Sequence, residues 1–331
     1  MTSFIEVNQT RYRRGQPHGH YESFFVRANH PVQPLGFWIR YTLFSPAGAP
    51  ERAIGERWAM FFDGMTGDHA AAKDELPLRQ CMFDAGGFAI RIGSAWLDDR
   101  SLAGQAKGRD VLRWNLRYGS GHTPLFLLPR RLYDGPLPKA KALVGQPGAR
   151  FDGELVVNGR RIDIRGWRGS QNHNWGSEHT ARYAWGQVVG FDDAPDAFLE
   201  VATAKLRMGR RSTSLTPMVL RLEGEEHRLN GIGRALNSTG RYRPFAWDFC
   251  AEDRRVSIAG TISATREDFL ALRYYDPPGG LKYCLNTKIA NCELVVRRKD
   301  GDGSDRRVLT ATRSSAFEIL SPDPASVPVV A

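Results

Sequence analysis

Residues 112–118 read Leu-Arg-Trp-Asn-Leu-Arg-Tyr, a strict alternation of apolar and polar side chains. Successive side chains of a β-strand point to opposite faces, so this segment predicts a strand with one face in a core and the other in water. Residues 37–44 have the same period, with Phe, Ile, Tyr and Leu at every second position. Both segments favour an antiparallel all-β fold over an α/β fold.

A hairpin is predicted farther along the chain. Asn158-Gly159 separates the apolar run at residues 155–157 from an alternating segment that contains Ile162 and Ile164. A type I′ turn needs positive φ at both central residues, which Asn-Gly supplies better than most dipeptides. We therefore expect two antiparallel strands joined by this turn.

The second half of the chain continues in the same style. Strand-like runs lie at residues 183–191, 198–206, 217–222, 256–262, 269–275, 282–296 and 307–320. Only residues 68–75, with three consecutive alanines, read as a short helix. Residues 129–153 are rich in proline and glycine and predict a surface loop.

So many short strands need closed or covered sheet edges. The sequence therefore predicts an all-β protein of two lipocalin-like antiparallel β-barrel or barrel-like sandwich domains packed together. With 331 residues, the chain is long enough for both. We expect an N-terminal domain at 1–190, a C-terminal domain at 191–320 and a flexible tail at 321–331.

Composition and charge exclude several classes of protein. Hydrophobic residues make up 41% and charged residues 25%, values typical of globular proteins rather than disordered ones. No stretch of apolar residues is long enough for a membrane-spanning helix, and the first residues predict no secretory signal, so we expect a cytoplasmic protein. The net charge of +10 is spread along the chain as arginine doublets, which argues against nucleic-acid binding but leaves peripheral contact with an anionic membrane open.

Sites for common cofactors are not recognisable in the sequence. Glycine-rich phosphate loops, dinucleotide fingerprints and nucleophile elbows are absent, so no cofactor is predicted. The four cysteines form no C-x-x-C pair and are expected to be buried thiols. His173 and His179 have no third ligand at metal spacing, and no metal site is predicted.

The densest group of polar and aromatic residues lies in mid-chain, from Trp167 to Gln187. Three of the eight tryptophans fall within this segment, together with histidines and amide side chains. Such residues can hold an apolar ligand and orient it by a few hydrogen bonds. The candidate ligand-binding residues are Trp167, Gln171, Asn172, Asn174, Trp175, Tyr183, Trp185 and Gln187. The alternative interpretation is structural, with amides that cap strand ends and tryptophans that fill a barrel mouth.

This segment carries a family resemblance. Residues 169–176, which end in His173-Asn174-Trp175-Gly176, and the following Tyr183-Ala184-Trp185-Gly186-Gln187 resemble the motif shared by carotenoid 1,2-hydratase, tocopherol cyclase and AttH-type proteins. Residues 22–46 and 57–63 also resemble the first half of such proteins. The resemblance implies two packed lipocalin-like barrels, a hydrophobic ligand, and addition of water to an isoprenoid chain, or its cyclisation, by protonation of a double bond.

Protonation of a double bond requires an acid within an apolar pocket. The hydratase pattern has an aspartate before the His-Asn pair, whereas this chain has Asn172, and an amide cannot donate a proton to an alkene. The candidate catalytic residues are therefore Glu178, the nearest carboxylic acid, and His173 or His179 as imidazolium. Burial of Glu178 would raise its pKa and keep it protonated.

We thus expect a protein that binds a lipophilic isoprenoid, polyene or lipid-like molecule in a barrel cavity. Cofactor-independent hydration, cyclisation or isomerisation by acid catalysis is the first hypothesis. The second is a carrier that performs no chemistry. The sequence leaves the oligomeric state open.

Overall fold

In a computed structural model of the chain, which describes residues 3–208, 211–299 and 305–331, nearly all regular structure is β. The helices are short: α1 is Phe4–Val7 and α2 is Ile232–Asn237, with single 3₁₀ turns at Pro50–Arg52, Leu78–Gln80, Arg130–Leu132 and Arg266–Asp268. The prediction of an all-β protein is confirmed. No helix of the described residues has both the length and the apolar character that a membrane span requires.

The first sheet is built by the N-terminal half and curls into a nearly closed antiparallel barrel. Its strands are β1 (His20–Asn29), β2 (Leu35–Ser45), β3 (Ile54–Asp63), β4 (Ala70–Pro77), β5 (Cys81–Phe83), β6 (Ala89–Ile92), β7 (Ala95–Asp98), β8 (Ser101–Lys107), β9 (Val111–Gly119), β10 (Leu125–Phe126), β11 (Ala140–Val157) and β12 (Arg160–Gly176). β1 lies between β2 and β12, which places the start of the chain beside the mid-chain motif.

The second sheet is built by the C-terminal half. Its strands are β13 (Arg182–Val189), β14 (Phe198–Met208), β15 (Arg211–Leu215), β16 (Met218–Leu222), β17 (Glu225–Leu229), β18 (Thr239–Arg243), β19 (Ala246–Glu252), β20 (Val256–Ser263), β21 (Leu270–Tyr275), β22 (Leu281–Arg298) and β23 (Arg306–Ser321). The strands change sheet between Gly176 and Arg182, earlier than residue 190. The domain boundaries stay a prediction.

The Asn-Gly hairpin forms as the sequence predicts. Asn158 and Gly159 have φ of 49° and 85°, as a type I′ turn requires, and they connect β11 with β12. The Asn158 side chain also accepts a hydrogen bond from the backbone N–H of Val111, which ties the turn to β9. One dipeptide thus sets the register of the two long strands that carry the mid-chain motif.

The helix predicted at residues 68–75 is wrong. This segment forms most of β4, where Ala71 pairs with Met60 and Ala72 with Ala59 of β3. Alanine favours helices in isolation, but here three small side chains are fully enclosed beside larger neighbours, so packing outweighs propensity.

The surface loop predicted at residues 129–153 is wrong from Ala140 onward. β11 begins there and pairs with both β9 and β12. Register shifts between Val144 and Gln146, between Pro147 and Ala149, and between Phe151 and Gly153 absorb the proline and the glycines. The residues that suggested a loop therefore mark β-bulges within a strand.

The C-terminal segment, expected to be a flexible tail, makes regular contacts. Val329 forms a parallel bridge with Ala271 of β21, and the backbone N–H of Arg273 donates to the carbonyl of Ala331. Val327 is only 3% exposed.

The three largest apolar cores among the described residues follow from this arrangement. One fills the first barrel, one lies inside the second sheet, and the third lies where the outer faces of the two sheets meet. We call the third core the junction. It contains Phe25, Trp38 and Trp58 from the first sheet and Trp185 and Tyr274 from the second. The junction positions the candidate site.

Candidate functional site at the junction

A cavity of about 150 Å³ lies within the junction. Cavities of about this volume bind a molecule the size of benzene when their walls are apolar. Its aromatic wall includes Tyr21, Phe25, Tyr183, Trp185 and Tyr274, and its polar residues include Arg40, Asn172, Asn174, His179, Glu200 and Glu318. Both sheets thus contribute to one small cavity with aromatic, aliphatic and polar walls. Two wider grooves, of about 890 and 790 Å³, lie among loops elsewhere.

Glu200 is the most unusual group in the cavity wall. It stands on the outer face of β14, is 2% exposed, and accepts hydrogen bonds from Trp185 Nε1 at 2.7 Å and Gln187 Nε2 at 2.9 Å. Burial raises the pKa of Glu200 to about 7, although these hydrogen bonds and the charge of Arg27 oppose the shift. A large fraction of the molecules therefore carries a neutral carboxylic acid at this position near pH 7.

An amide network fixes the orientation of Glu200. Gln187 donates to Asn172 Oδ1 at 2.9 Å and accepts from the Ser170 hydroxyl at 2.7 Å. Asn172 in turn donates to Ser170 Oγ at 2.8 Å. β12 and β13 thereby connect the two sheets directly beside the acid. The amide at position 172 thus orients Glu200 through Gln187.

A second buried glutamate has the opposite character. Glu22 on β1 accepts hydrogen bonds from His173 Nε2 at 2.9 Å and His20 Nε2 at 3.1 Å, and from the backbone N–H groups of Arg11 and Tyr12. Burial alone would raise the pKa of Glu22, but these partners lower it to about 2. Glu22 is therefore a carboxylate, and its role is to anchor the N-terminal segment.

His173 helps Glu22 to hold the N-terminal segment in place. His173 is among the residues that line the cavity, but its Nδ1 lies 2.8 Å from the carbonyl of Val7 and its Nε2 lies 2.9 Å from Glu22 Oε1. Both ring nitrogens are therefore engaged with other groups of the protein. The ring also stacks on Phe24 at 4.2 Å. His173 thus has no free N–H to offer a ligand.

His179 and Glu178 occupy contrasting positions. His179 lines the cavity and stacks on Tyr21 at 3.9 Å. Burial, with Arg40 and Lys282 nearby, lowers the pKa of His179 well below its ordinary value, so its ring is neutral near pH 7. Glu178 does not line the cavity; its side chain is 40% exposed and forms an ion pair with Lys139 at 2.9 Å. This position lacks the burial that an acid catalyst would need.

The predicted ligand-binding residues divide by strand face. Asn172, Asn174, Tyr183 and Trp185 line the cavity, and Gln187 contacts Glu200. Three other predicted residues, on the opposite face of β12, do not line it: Trp167 lies in the first barrel's core, Gln171 pairs with Asn8, and Trp175 packs beside His173. Alternation along β12 separates the two groups.

Glu200, Glu318, Arg40 and Tyr274 are not predicted by the sequence. Arg40, Tyr274 and Glu318 are distant from the mid-chain motif in sequence, and Glu200 lies on the strand that follows it. A signal does exist for the two glutamates, since Glu200 and Glu318 each interrupt an otherwise apolar strand segment. Buried carboxylates need partners, so such interruptions indicate a polar site. No cluster of three or more potential metal ligands occurs among residues 3–208, 211–299 and 305–331.

Comparisons with known proteins give results only at the level of structure. Protein-family models do not match the chain, and neither does any curated protein. Among solved structures, an AttH-like protein of Nitrosomonas europaea aligns with a TM-score of 0.57 and 11% identity, covering 97% of this chain and 99% of that one. Kievitone hydratase of Nectria haematococca aligns with a TM-score of 0.56 and 10% identity, covering 93% and 91%.

Both similarities extend over nearly the whole of each chain, so they concern the complete two-sheet architecture and not one barrel. The resemblance of residues 169–176 predicts an AttH-like fold, and the structural comparisons confirm the fold. The chain shares its fold with these two solved structures.

Proposed function

We propose that the protein binds an apolar small molecule in the junction cavity and that Glu200 donates a proton to a carbon–carbon double bond of this molecule. The observation that carries the proposal is a buried carboxyl group, with its pKa raised to about 7, in the wall of an aromatic cavity. General acids work best when their pKa lies near the working pH. The name of one solved structural neighbour, a hydratase, agrees with this class of chemistry.

The O–H bond of Glu200 breaks and a C–H bond forms, which leaves a carboxylate and a carbocation. Aromatic faces such as those of Trp185 and Tyr274 stabilise a cation in a site without bulk water. In hydration, water then attacks the cation and releases a proton to the carboxylate. In isomerisation, the cation instead loses a proton from a neighbouring carbon. Either outcome regenerates the acid.

Proton transfer from the enzyme can be followed in D₂O. Lipids extracted from the purified protein, together with a panel of isoprenoid and polyene alkenes, are incubated with it in D₂O and analysed by mass spectrometry. We expect deuterium on carbon in the product for wild type, and loss of this incorporation by a factor of about 100 or more in Glu200→Gln. Glu252→Gln, at an exposed ion pair with Lys299, is the matched control.

Three results would contradict the proposal. Unchanged incorporation in Glu200→Gln excludes this residue as the acid, and a selective loss in Glu178→Gln would favour the acid that the sequence predicts. Binding of an apolar ligand without any deuterium incorporation favours the alternative hypothesis of a carrier.

A cytoplasmic location and contact with anionic membranes stay predictions of the sequence. Vesicle binding that falls steeply with salt would support contact with anionic membranes.

A further inference from the structure

Arg40 is a buried cation without an anionic partner. It stands on β2 in the cavity wall and is 5% exposed. Its Nη2 donates to the Ser23 hydroxyl at 2.6 Å, and its Nε has no hydrogen-bond partner. Within residues 3–208, 211–299 and 305–331, no carboxylate oxygen lies within 4.0 Å of its guanidinium. Below the guanidinium, the ring of Tyr274 lies at 4.5 Å.

The carboxylates nearest to Arg40 are already engaged. Glu318 forms an ion pair with Lys288 at 2.8 Å and accepts from Asn286 at 3.0 Å. Glu56 forms an ion pair with Lys73 at 2.8 Å.

The region where the sheets meet holds the fully buried cations Lys288 and Arg27. Lys288 has a close counter-ion, whereas Arg27 donates to Asn29 and to the carbonyl of Ser314 and does not line the cavity. Arg40 lines the cavity and has no such counter-ion.

A buried guanidinium that lacks a counter-ion is costly, and an anionic oxygen placed against it recovers that cost. Resting on the proposed function, we infer that the ligand is an apolar molecule that carries one anionic oxygen, of the carboxylate or phenolate class, and that Arg40 binds this oxygen. A cavity of about 150 Å³ brings any ligand that fills it close to both Arg40 and Glu200.

The same arrangement bears on the proposed reaction. A carbocation formed beside an uncompensated guanidinium would be destabilised by charge repulsion. An oxyanion of the ligand bound to Arg40 cancels that repulsion before the proton is transferred. The ion pair between Arg40 and the ligand would then determine both the selectivity for an acidic ligand and the rate of proton transfer from Glu200.

Benzoate and benzamide test this inference, because they have nearly the same size and differ in charge. Isothermal titration calorimetry at pH 6 measures both affinities. We expect wild type to bind benzoate about tenfold to a hundredfold more tightly than benzamide. Arg40→Gln should lose this preference while it keeps the affinity for benzamide, which shows that the cavity is intact. Arg165→Gln, at an exposed arginine, should keep the preference.

Equal affinities of wild type for benzoate and benzamide would overturn the inference, and this result needs no variant. A preference for benzoate that persists in Arg40→Gln would also overturn it. If Arg40→Gln does not fold, Arg40→Lys retains the charge and should retain a reduced preference. Glu200→Gln should keep the preference for benzoate, so failure of the acid-catalysis proposal and failure of this inference give different results.

Discussion

Glu22 and Glu200 show how residue environment decides chemistry. Both residues are buried, with at most 2% of their surface exposed. The pKa of Glu22 is nevertheless lowered to about 2, whereas that of Glu200 is raised to about 7. Glu22 has two histidines and two backbone N–H groups as partners, whereas Glu200 has two neutral N–H donors. A sequence identifies a glutamate in an apolar strand but not its partners, so this distinction could not be predicted.

Replacement of Glu22 should destabilise the fold. Glu22→Gln removes the buried carboxylate that contacts His173, His20 and two backbone N–H groups, and we expect a loss of about 3 kcal/mol in the free energy of unfolding at pH 7, measured by urea denaturation. The exposed ion pair of Glu178 gives the comparison, with a loss under about 1 kcal/mol for Glu178→Gln. Equal losses would contradict the assignment of Glu22 as a buried anchor.

The low pKa of Glu22 also predicts acid sensitivity. A carboxyl group with a pKa near 2 in the folded state and an ordinary value of 4.5 in the unfolded state stabilises the fold above pH 4.5. This contribution is lost as the pH falls from 4.5 toward 2. Thermal melts of wild type and Glu22→Gln should therefore converge in this range. A constant difference between them would contradict the prediction.

The raised pKa of Glu200 predicts that the stability of the fold decreases as the pH rises, which is opposite to the effect of Glu22. Its pKa of about 7 in the folded state exceeds the ordinary value of 4.5, so the folded state holds a proton that the unfolded state has released. Stability should fall by up to about 1.4 kcal/mol per pH unit between pH 4.5 and 7 on account of this residue. Urea denaturation across this range should show that the slope is smaller in Glu200→Gln. An equal slope in the two proteins would contradict a raised pKa.

At the scale of elements, β12 contributes side chains to two different sites, because successive side chains of a strand point to opposite faces. Even-numbered side chains such as Asn172 and Asn174 face the junction, and odd-numbered ones such as Gln171 and His173 contact the N-terminal segment. The hairpin signal at Asn158-Gly159 predicted the start of this strand around Ile162 and Ile164, but not its continuation to Gly176. Its pairing with β1 was not predictable, because β1 lies more than 100 residues earlier in the sequence and local patterns carry no information about long-range pairing.

Close approach of β1 and β12 depends on Gly169. A Cβ atom at this position would lie 1.8 Å from the Arg27 carbonyl oxygen and 2.7 Å from Ala28 Cα. Because the obstacle is backbone, Gly169→Ala should destabilise the fold by about 3 kcal/mol or more in urea denaturation. Gly119→Ala, with no atom within 4 Å of the added carbon, should change stability by less than about 0.5 kcal/mol. Similar effects of the two substitutions would contradict this strand pairing.

At the scale of the whole molecule, the junction joins the two sheets through a core and through polar contacts. Trp38 and Trp58 of the first sheet pack among Tyr274 and Trp185 of the second, and Asn29 donates to the carbonyl of Lys288 at 2.7 Å. The all-β class followed from the period of two. The junction did not, because residues that face a second sheet look the same in sequence as residues that face a barrel interior.

This packing predicts cooperative unfolding. We expect calorimetry to show one thermal transition, with equal calorimetric and van't Hoff enthalpies, since neither sheet can leave the other without exposing the junction core. Trp38→Ala, at a residue 1% exposed, should separate the transition into two. Met65→Ala, at a residue 64% exposed, should leave it single. Two transitions in wild type would contradict the prediction.

The central claim is that a neutral carboxylic acid stands in the wall of the junction cavity near pH 7. Nuclear magnetic resonance of protein labelled with ¹³C at the glutamate carboxyl carbon measures it directly, with Glu200→Gln to assign the signal. We predict one glutamate signal that titrates near pH 7 in wild type and is missing in the variant. Titration of every glutamate below about pH 5 would contradict the claim.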